Sequence, residues 1–600
     1  MTANIPNRIQ KGPTEPSKVI AAMPDFPFDY GKFVTSAGRN ALFTNGGAVK
    51  RVAIVGAGIS GLVAGYELLR AGFAPVVFEA SDRIGGRMYS KQLENGGIAE
   101  LGAMRFPPTC KTLFHYFGKA GMKDRTGDFP NPGTPNSPGN LVNYRGKNKY
   151  YDVTDQKFPR PKEYGDLQAK WDALLKNKPY DLETMQQHLT DPETNAASIK
   201  KIWNALVGSH DNESFHHVLV NHNWSADDIE LFGQVGFGSG GWNTNFVNCF
   251  LEILRVAYTD MESNHQLFFD GVDTLPKRLF DKTPSDFKDL GHGPYMHMSL
   301  QKFAEDYFGG PHKILGNVVR GIAYDDAKKK FQIYTNGTQK TGDDALFDAV
   351  IYTPHVRVLQ MMRDESHHGK ATRALLSEDM WEAIEYTHYM QSSKTFVSAK
   401  SAFWAEKDGD GKHLMSTTLS DRVTRGTYLL NYKDSKDQND KAVICLTYTW
   451  NDDALKMLPL TEHERAAIAL LALDEMYPLA KINERTNKKS SGELDSATIM
   501  WDSERFFMGA FKNNLPGHYR YQRALYSHFA EHDLNRGINF FLAGDDISWT
   551  GGWSEGAVTT GLNAAHAVVK AFGGHAHNNA GPLDKWDALK PTKLSQPVAG

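Results

Sequence analysis

Hydrophobic and polar positions along residues 51–87 follow the pattern of a strand, a helix and a second strand. The apolar, β-branched run Val52–Val55 predicts a buried strand. Apolar residues then recur at helical spacing from Leu62 to Leu69, and Gly72 stands where such a helix would end. The run Pro75–Phe78 is apolar again. Together these residues predict a β-α-β unit.

Three glycines and one acid give this unit the fingerprint of a dinucleotide site. Gly56 allows a tight turn out of the strand, Gly58 leaves room for a pyrophosphate, and Gly61 lets the helix pack closely on the sheet. The helix N-terminus offers free N–H groups and partial positive charge to phosphates. Glu79 follows where a carboxylate accepts hydrogen bonds from ribose hydroxyls. Because strand, helix, second strand and acid are in register, we expect a dinucleotide cofactor.

Outside this unit the pattern predicts both helices and strands. Residues 161–235 are mostly polar, with helical stretches such as Leu167–Leu175 and Ala197–Val207, and indicate an inserted helical subdomain. The segments Phe347–Pro354 and Ala442–Trp450 are largely apolar and predict strands. A chain of 600 residues is too long for one core, so two or three domains are expected.

Charge and apolar content limit the possible partners and location. Lys and Arg number 67 against 70 Asp and Glu, and this net charge of −3 gives no reason to expect nucleic acid or an anionic membrane as partner. No apolar run approaches the ~20 residues of a membrane span. The N-terminal segment lacks the apolar core of a signal peptide. We therefore expect a cytoplasmic protein, with a processed or exported form left open.

Cysteine and histidine positions give no sign of a metal site. Cys110, Cys249 and Cys445 are far apart and lack metal-ligand spacing, so three reduced, largely buried thiols are expected rather than a disulfide framework. His367 and His368 have no further ligands at metal spacing and predict a solvated loop. We expect no bound metal.

Four motifs give the chain a resemblance to a known family. R-x-G-G-R stands at 83–87, ELGAMRFP at 100–107, YMQSSKTF at 389–396 and AGDDISWTGGWSEGA at 543–557. Together they resemble the flavin-containing amine oxidases, most of all the L-amino-acid oxidases and the tryptophan, phenylalanine and lysine 2-monooxygenases, over about residues 51–573. The resemblance implies FAD as cofactor. Because no cysteine lies in the last motif, it implies that FAD is held noncovalently.

The resemblance also implies the fold class. It is α/β, with a GxGxxG Rossmann-like FAD-binding domain that is discontinuous in sequence, a mixed α+β substrate domain and a helical insertion. The expected boundaries are an N-terminal arm at 1–50; the FAD-binding domain at 51–100, 265–355 and 522–573; the substrate-binding domain at 101–160, 236–264 and 356–521; the helical subdomain at 161–235; and a flexible tail at 574–600.

The residues expected to bind FAD lie in the glycine fingerprint, in the family motifs and on one further strand. They are Gly56, Gly58, Ser60, Gly61, Glu79, Ala80, Arg83, Gly86, Arg87, Gly102, Ala103, Met104, Arg105, Val318, Gly544, Asp545, Asp546, Trp553 and Ala557. By resemblance, Asp545 or Asp546 would bond the ribityl or phosphate side of FAD. The helix from Gly556 would direct its N-terminus at the flavin, where negative charge grows on reduction.

Two cationic side chains are the expected centre of the chemistry. A guanidinium holds a carboxylate through two parallel hydrogen bonds, and by resemblance Arg105 binds the α-carboxylate of an amino acid. Lys394 stands among small and apolar residues of a strand-like segment, where burying an unpaired ammonium is costly. By resemblance Lys394 holds a water beside the flavin and assists the reaction with oxygen. A surface lysine on an edge strand is the alternative.

The other expected substrate contacts are aromatic or amide side chains. By resemblance, Trp450, Phe511, Trp549 and Trp553 are candidates for the pocket wall, and Trp553 also for a catalytic role. Core packing is the alternative for Trp450 and Phe511. Asn245 belongs to a glycine-rich stretch that resembles a loop on the substrate side of the flavin, with a surface connection as the alternative. Because Asn245 is neutral, we expect neutral or broad-range substrates.

The resemblance implies an FAD-dependent L-amino-acid oxidase, which forms a 2-oxo acid, ammonia and hydrogen peroxide. An amide-forming L-amino-acid 2-monooxygenase is the nearest alternative, since the sequence does not separate the two. Arg105 disfavours an amine or polyamine oxidase, and Arg105 with Lys394 disfavours a flavin-bound scaffold without turnover. The expected partners are an L-amino acid, molecular oxygen and further copies of the chain in a homo-oligomer, dimer or higher.

Overall fold

The computed structural model describes residues 20–175, 182–235, 241–249, 251, 265–290, 293–337, 340–365, 367–433, 440–531 and 537–593. Within them, the most extensive hydrophobic cluster runs from the N-terminal segment through the helix Ile59–Arg70 to the helix Ser554–Ala571. These two helices pack against each other beside the parallel sheet.

A four-stranded parallel sheet carries the glycine fingerprint. Its strands run in the order Phe540–Leu542, Ala349–Tyr352, Arg51–Val55 and Ala74–Phe78. The helix Ile59–Arg70 joins the last two, so the predicted β-α-β unit is present. The strands are almost entirely buried, which explains their continuous apolar sequences. The α/β fold class is confirmed, and the sheet is assembled from three distant parts of the chain.

A seven-stranded sheet is built from the middle of the chain. Its strands run in the order Ser496–Met500, Ser392–Ser398, Ala442–Trp450, Gly426–Asn431, Thr417–Ser420, Gly139–Tyr144 and Lys147–Asp152. The neighbouring pairs are antiparallel, apart from the parallel pair of Thr417–Ser420 with Gly139–Tyr144. This sheet supplies Lys394 and Tyr448 to the cavity described below.

Smaller sheets complete the strand inventory. One has three antiparallel strands, and the others are two-stranded antiparallel pairs. The strands are Val319–Asp325, Lys330–Thr335 and Leu346–Phe347; Phe43–Thr44 with His575–Ala576; Ser90–Gln92 with Ile98–Glu100; Thr126–Asp128 with Gln266–Phe268; and Tyr389–Met390 with Phe511–Lys512.

Among the described residues of 161–235, where the polar pattern predicts a helical subdomain, there are five helices. They are Lys162–Leu175, Leu182–His188, Pro192–His210, Phe215–Asn221 and Ala226–Val235. The other α-helices are Tyr30–Ser36, Ile59–Arg70, Lys111–Lys119, Thr274–Asp281, Leu300–Phe308, Val356–Asp364, Gly369–Arg373, Glu378–Glu385, Asp452–Leu455, Glu462–Met476, Ile482–Arg485, Tyr519–Glu531, Ser554–Ala571 and Trp586–Leu589. Short 3₁₀ turns lie at Pro311–Lys313, Asp343–Ala345, Phe403–Ala405, Asp545–Ile547 and His577–Asn579.

None of the helices in the described residues combines the length and the apolar character that a membrane crossing requires. The described residues also contain no group of three His, Cys, Asp or Glu side chains that could hold a metal ion.

The two ends of the described chain pack against each other. Phe26 and Trp586 have ring centroids 5.4 Å apart, and Phe43–Thr44 pairs with His575–Ala576. Residues 574–593 thus differ from the flexible tail expected from their composition, because the buried indole of Trp586 anchors a segment otherwise rich in Gly, Asn and Pro. The last seven residues lie outside the described chain.

Candidate active site

A deep cavity opens at the carboxyl edge of the parallel sheet, the edge where dinucleotides bind in doubly wound folds. It encloses about 1660 Å³, including the space that opens to solvent. Its walls come from the glycine fingerprint, the ELGAMRFP motif, the ends of the parallel strands, two strands of the seven-stranded sheet and the start of the helix Ser554–Ala571. One cavity therefore joins the predicted cofactor site to the predicted substrate site.

The dinucleotide end of the cavity fits a cofactor with a ribose and a pyrophosphate. Glu79 is buried, and its two oxygens accept hydrogen bonds from Ala57 N–H and Ser81 N–H, each at 2.8 Å. The carboxylate is thus fixed at the end of its strand. Ser60 Oγ is buried in the first turn of the following helix and has no hydrogen-bond partner in the described chain. A Cβ added to Gly58 would meet no atom within 4 Å.

Gly58→Ala is expected to weaken FAD binding without disturbing the protein. Gly58 has an extended backbone, with φ −74°, and faces the cavity. The new methyl group would therefore project into the volume available to the ligand and would not clash with other residues of the protein. Crowding by one methyl group costs about 1–3 kcal/mol, which weakens binding roughly 10- to 100-fold. FAD titration of the apoprotein measures the change. Gly118→Ala, on an open helix surface, is the matched control, and equal affinities for FAD in both variants would contradict the assignment.

Buried Asp545 and half-buried Arg87 form an ion pair on the cavity wall. Arg87 donates to both carboxylate oxygens, and Gly552 N–H donates to one of them at 3.2 Å. Burial alone would raise the pKa of Asp545, but Arg87 holds it below its usual range. Asp545 therefore stays ionised beside the C-terminal motif.

Asp546 points away from the cavity. Its Oδ2 accepts hydrogen bonds from Val356 N–H at 2.9 Å and from the Tyr389 hydroxyl at 2.7 Å. Burial and the neighbouring Asp545 charge raise the pKa of Asp546 to about 6. The structure therefore selects Asp545 from the two expected acids and corrects the assignment of Asp546, which fastens the motif to the helix Val356–Asp364.

Arg105 reaches the cavity from the segment after Gly102. Its side chain is buried, donates to Asn131 Oδ1 at 2.7 Å and lies 5.9 Å from the ring centroid of Phe129. Gly102 allows the close approach of this segment, since a Cβ there would lie 1.7 Å from the carbonyl oxygen of Arg87. The guanidinium is thus held in place at the cavity wall, as a carboxylate receptor requires.

Lys394 is buried, contrary to the edge-strand alternative. Its Nζ donates to the carbonyl oxygens of Gly102 at 2.5 Å and Glu100 at 3.3 Å, and lies 4.6 Å from the ring centroid of Tyr448. Burial lowers the pKa of Lys394 to about 8, with Glu100 acting in the opposite direction. An amine that titrates near neutral pH can exchange protons with a reacting group.

Aromatic side chains form much of the remaining wall. Trp553 immediately precedes the helix Ser554–Ala571, and Phe511 extends from a short strand. Trp501 and Phe507 contact each other edge to face, with centroids 5.1 Å apart. Such rings offer a large apolar surface to a flat side chain.

Most of the predicted site residues line this one cavity. They are Gly56, Gly58, Ser60, Glu79, Ala80, Gly86, Arg87, Gly102, Ala103, Met104, Arg105, Val318, Lys394, Phe511, Gly544, Asp545, Trp553 and Ala557. Residues from ten parts of the sequence are thereby brought together.

Besides Asp546, two predicted cofactor residues lie outside the described lining. A Cβ on Gly61 would lie 2.3 Å from the Gly56 carbonyl oxygen, so this glycine permits helix packing and does not contact the ligand space. The Arg83 guanidinium lies 4.2 Å from the ring centroid of Tyr89 and pairs with Glu504.

Three predicted substrate contacts also need correction. Asn245 donates to the carbonyl and carboxylate oxygens of Asp211 at 2.6 and 2.8 Å, which makes it a structural link between the helical insertion and the segment that follows it. Trp450 lies behind Phe511, with centroids 5.0 Å apart, and Trp549 stacks on Tyr519. Residues 236–240 of the glycine-rich stretch lie outside the described residues.

Several cavity residues escaped the sequence reasoning. Thr353, Pro354 and His355 follow the strand Ala349–Tyr352. Because a strand was predicted there, its carboxyl end could have indicated these residues as part of the ligand-binding edge. Tyr448 lies two positions before Trp450 on one strand, so both side chains are on the same face of the sheet. This alternation could have suggested Tyr448 as a further candidate for the cavity wall. The lining also includes Asn317, Val358, Met362, Ser392, Trp501, Phe506, Phe507, Ala510 and Gly552, which carry no comparable signal.

Comparison with known proteins agrees with this geometry. A family model described as flavin containing amine oxidoreductase matches residues 59–569. The tryptophan 2-monooxygenases of Pseudomonas savastanoi and Pantoea agglomerans pv. gypsophilae are each 32% identical to this chain. Both alignments cover 93% of this chain, and they cover 97% and 96% of the two relatives, respectively. The L-amino acid oxidase of Cerastes cerastes is 23% identical, with 91% and 92% covered.

Solved structures support the fold. Putrescine oxidase bound to putrescine superimposes with a TM-score of 0.60 at 18% identity, over 87% of this chain and 99% of that one. Cyclohexylamine oxidase from Brevibacterium oxydans IH-35A superimposes with a TM-score of 0.59 at 17% identity, with the same coverage.

Proposed function

This chain belongs to the flavin-containing amine oxidoreductases, with FAD as cofactor, and on that premise we propose that it is an amide-forming L-amino-acid 2-monooxygenase. Of the two activities expected from the sequence, similarity favours the second, since the tryptophan 2-monooxygenases resemble this chain more closely than the L-amino acid oxidase does. The observation that carries the amino-acid substrate is the buried Arg105 guanidinium in a cavity with aromatic walls, and the choice of the amide-forming reaction rests on the similarity.

The proposed reaction consumes one L-amino acid and one O₂ and yields the amide one carbon shorter, CO₂ and water. FAD, when bound, would supply the redox chemistry: it would accept the hydride of the substrate Cα–H bond and pass two electrons to oxygen. Arg105 binds the α-carboxylate and thereby fixes the orientation of Cα. Lys394 places a positive charge, or a proton that it can give up, beside the oxygen chemistry.

The proposed substrates are aromatic L-amino acids. The rings of Phe506, Phe507, Phe511 and Trp553 line the same cavity as Arg105, so the carboxylate and a flat side chain can be bound together. The walls near Arg105 carry no carboxylate among the described lining residues other than Glu79 and Asp545, which belong to the FAD end. This arrangement favours a neutral side chain over a cationic one.

Anaerobic mixing followed by air and product analysis tests the proposal. The panel comprises L-tryptophan, L-phenylalanine, L-leucine, L-lysine, D-tryptophan and tryptamine. We expect aromatic L-amino acids to bleach the yellow protein and, after oxygen is admitted, to give amide and CO₂. Production of 2-oxo acid and hydrogen peroxide would instead establish the oxidase. Bleaching by tryptamine but by no amino acid would overturn both.

A further inference from the structure

His355 is a buried polar group of the cavity that the site described so far does not use. It follows the strand Ala349–Tyr352, is 3% exposed and lines the cavity. Its Nδ1 lies 2.7 Å from the carbonyl oxygen of Phe507, and its ring centroid lies 4.4 Å from that of Tyr389. Because a carbonyl oxygen only accepts, Nδ1 must carry the hydrogen.

The other ring nitrogen is therefore an acceptor without a donor. Nε2 of His355 is buried and has no hydrogen-bond partner in the described chain. Arg87, Asp545 and Arg357 are the charged groups that act on this ring, and burial together with Arg87 lowers the pKa of His355 to about 3. The ring thus stays neutral. A buried acceptor left unpaired costs free energy, so its position on the cavity wall calls for a ligand that donates.

The strand order indicates which part of FAD lies there. Glu79, the ribose acid, follows the edge strand Ala74–Phe78, and the pyrophosphate glycines follow the adjacent strand Arg51–Val55. The next strand in the sheet, Ala349–Tyr352, is followed three residues later by His355. In FAD, ribose, pyrophosphate and ribityl chain follow one another, so the third strand end corresponds to the ribityl chain, which carries hydroxyl donors.

We propose that His355 binds FAD by accepting, at Nε2, a hydrogen bond from a ribityl hydroxyl. A phosphate or a flavin carbonyl does not fit, since both only accept hydrogen bonds at neutral pH. The inference rests on the FAD cofactor of the family and not on the proposed amino-acid substrate.

Two substitutions of opposite geometry test this role. His355→Asn keeps an N–H at the position of Nδ1 for the Phe507 carbonyl but places nothing at Nε2, whereas His355→Gln places an amide oxygen near Nε2. We expect the Kd of the apoprotein for FAD, measured by quenching of FAD fluorescence, to rise about tenfold in the Asn variant and less than threefold in the Gln variant. His388→Asn is the matched control, since its Nδ1 also bonds a main-chain carbonyl, at 2.8 Å. Equal affinity of the Asn variant and the parent would overturn the proposal.

FAD analogues that lack single ribityl hydroxyls identify the donor. One analogue should bind the parent about tenfold more weakly and lose no further affinity in His355→Asn, because both changes remove the same bond. If every analogue lost affinity equally in parent and variant, a water molecule would be the donor and the proposal would fail.

The pH dependence of FAD affinity distinguishes a neutral His355 that accepts a hydrogen bond from a protonated His355 that donates one. Since His355 is neutral down to about pH 3, the ratio of FAD affinities between parent and Asn variant should stay constant from pH 8 to 5.5. A ratio that grows as the pH falls would indicate an imidazolium bound to phosphate and would overturn the proposal.

Discussion

Arg105→Met is expected to lower kcat/KM for L-tryptophan about a thousandfold while FAD remains bound. Losing a buried, bidentate partner of a carboxylate costs several kcal/mol, of the order of 2–5. Tryptamine has the same ring and amine but no carboxylate, so its kcat/KM should change less than about threefold. The difference between the two substrates, in one variant, measures the carboxylate contact. Arg105→Lys should give an intermediate loss, because an ammonium keeps the charge but not the fork of donors.

An exposed arginine provides the control for this experiment. Arg422 pairs with Glu475 at the surface, and Arg422→Met removes one positive charge without touching the cavity. Its kinetics with both substrates should match those of the parent. Equal losses for L-tryptophan and tryptamine in Arg105→Met would show that Arg105 acts on the pocket shape and not on the carboxylate.

Lys394→Met is expected to change activity and stability in opposite directions. Removal of a group that exchanges protons in the reaction costs about 10²-fold or more, so the reduced holoenzyme should react with oxygen about a hundredfold more slowly. Its anaerobic reduction by substrate should change less than about threefold. In the parent, the rate with oxygen should fall as the pH rises through about 8, where the ammonium of Lys394 loses its proton.

The stability change follows from the same burial. The pKa of Lys394 is about 8 in the folded chain against 10.5 for the ordinary group, so the unfolded state binds more protons between these values. Folding is therefore penalised by roughly 3 kcal/mol below pH 8, and the penalty disappears as the pH rises towards 10.5. Lys394→Met should raise the free energy of unfolding at pH 7 by about 2–3 kcal/mol and much less at pH 10.5.

Lys512 supplies the matched control. It is buried, donates to the Ser548 carbonyl oxygen at 2.7 Å and has a pKa that burial lowers to about 7. Since it lies outside the described cavity lining, Lys512→Met should stabilise the fold at pH 7 and leave the reaction with oxygen unchanged. Slowed oxygen reactivity in both variants would mean that loss of any buried ammonium suffices, which would contradict a specific role for Lys394.

Local sequence was enough to predict the cofactor end of the site. The strand Arg51–Val55, the helix Ile59–Arg70 and the strand Ala74–Phe78 are contiguous, and each has its own periodicity and glycine signal. The positions of Gly56 and Gly58 follow from steric demands that no distant residue alters. The motif resemblance then placed Arg105 and Lys394 in the same cavity although 289 positions separate them.

The errors in the predicted site occurred where tertiary contacts decide which of two nearby side chains faces the cavity. Trp549 and Trp553 are both aromatic and four positions apart, yet only Trp553 lines the described cavity, because Trp549 stacks on Tyr519 from a distant helix. Asp545 and Asp546 are adjacent, and their partners Arg87 and Tyr389 decide which faces the cavity. Arg87 and Tyr389 lie more than 100 positions from these acids, and Tyr519 lies 30 positions from Trp549, so neither composition nor periodicity of the local segment contains the information.

The strand order of the parallel sheet determines when, during synthesis of the chain, the sheet can form. The strand Phe540–Leu542 pairs with Ala349–Tyr352, which pairs with Arg51–Val55, so the sheet is complete only after residue 542 has left the ribosome. At about 5–20 residues per second, the interval between the first and last of these strands is on the order of 25–100 s. The apolar strand Arg51–Val55 has an unpaired edge until Ala349–Tyr352 emerges, and Ala349–Tyr352 then has one until Phe540–Leu542 emerges. Chaperone binding to nascent chains should therefore persist until Phe540–Leu542 emerges, and the cofactor site is complete only after that point.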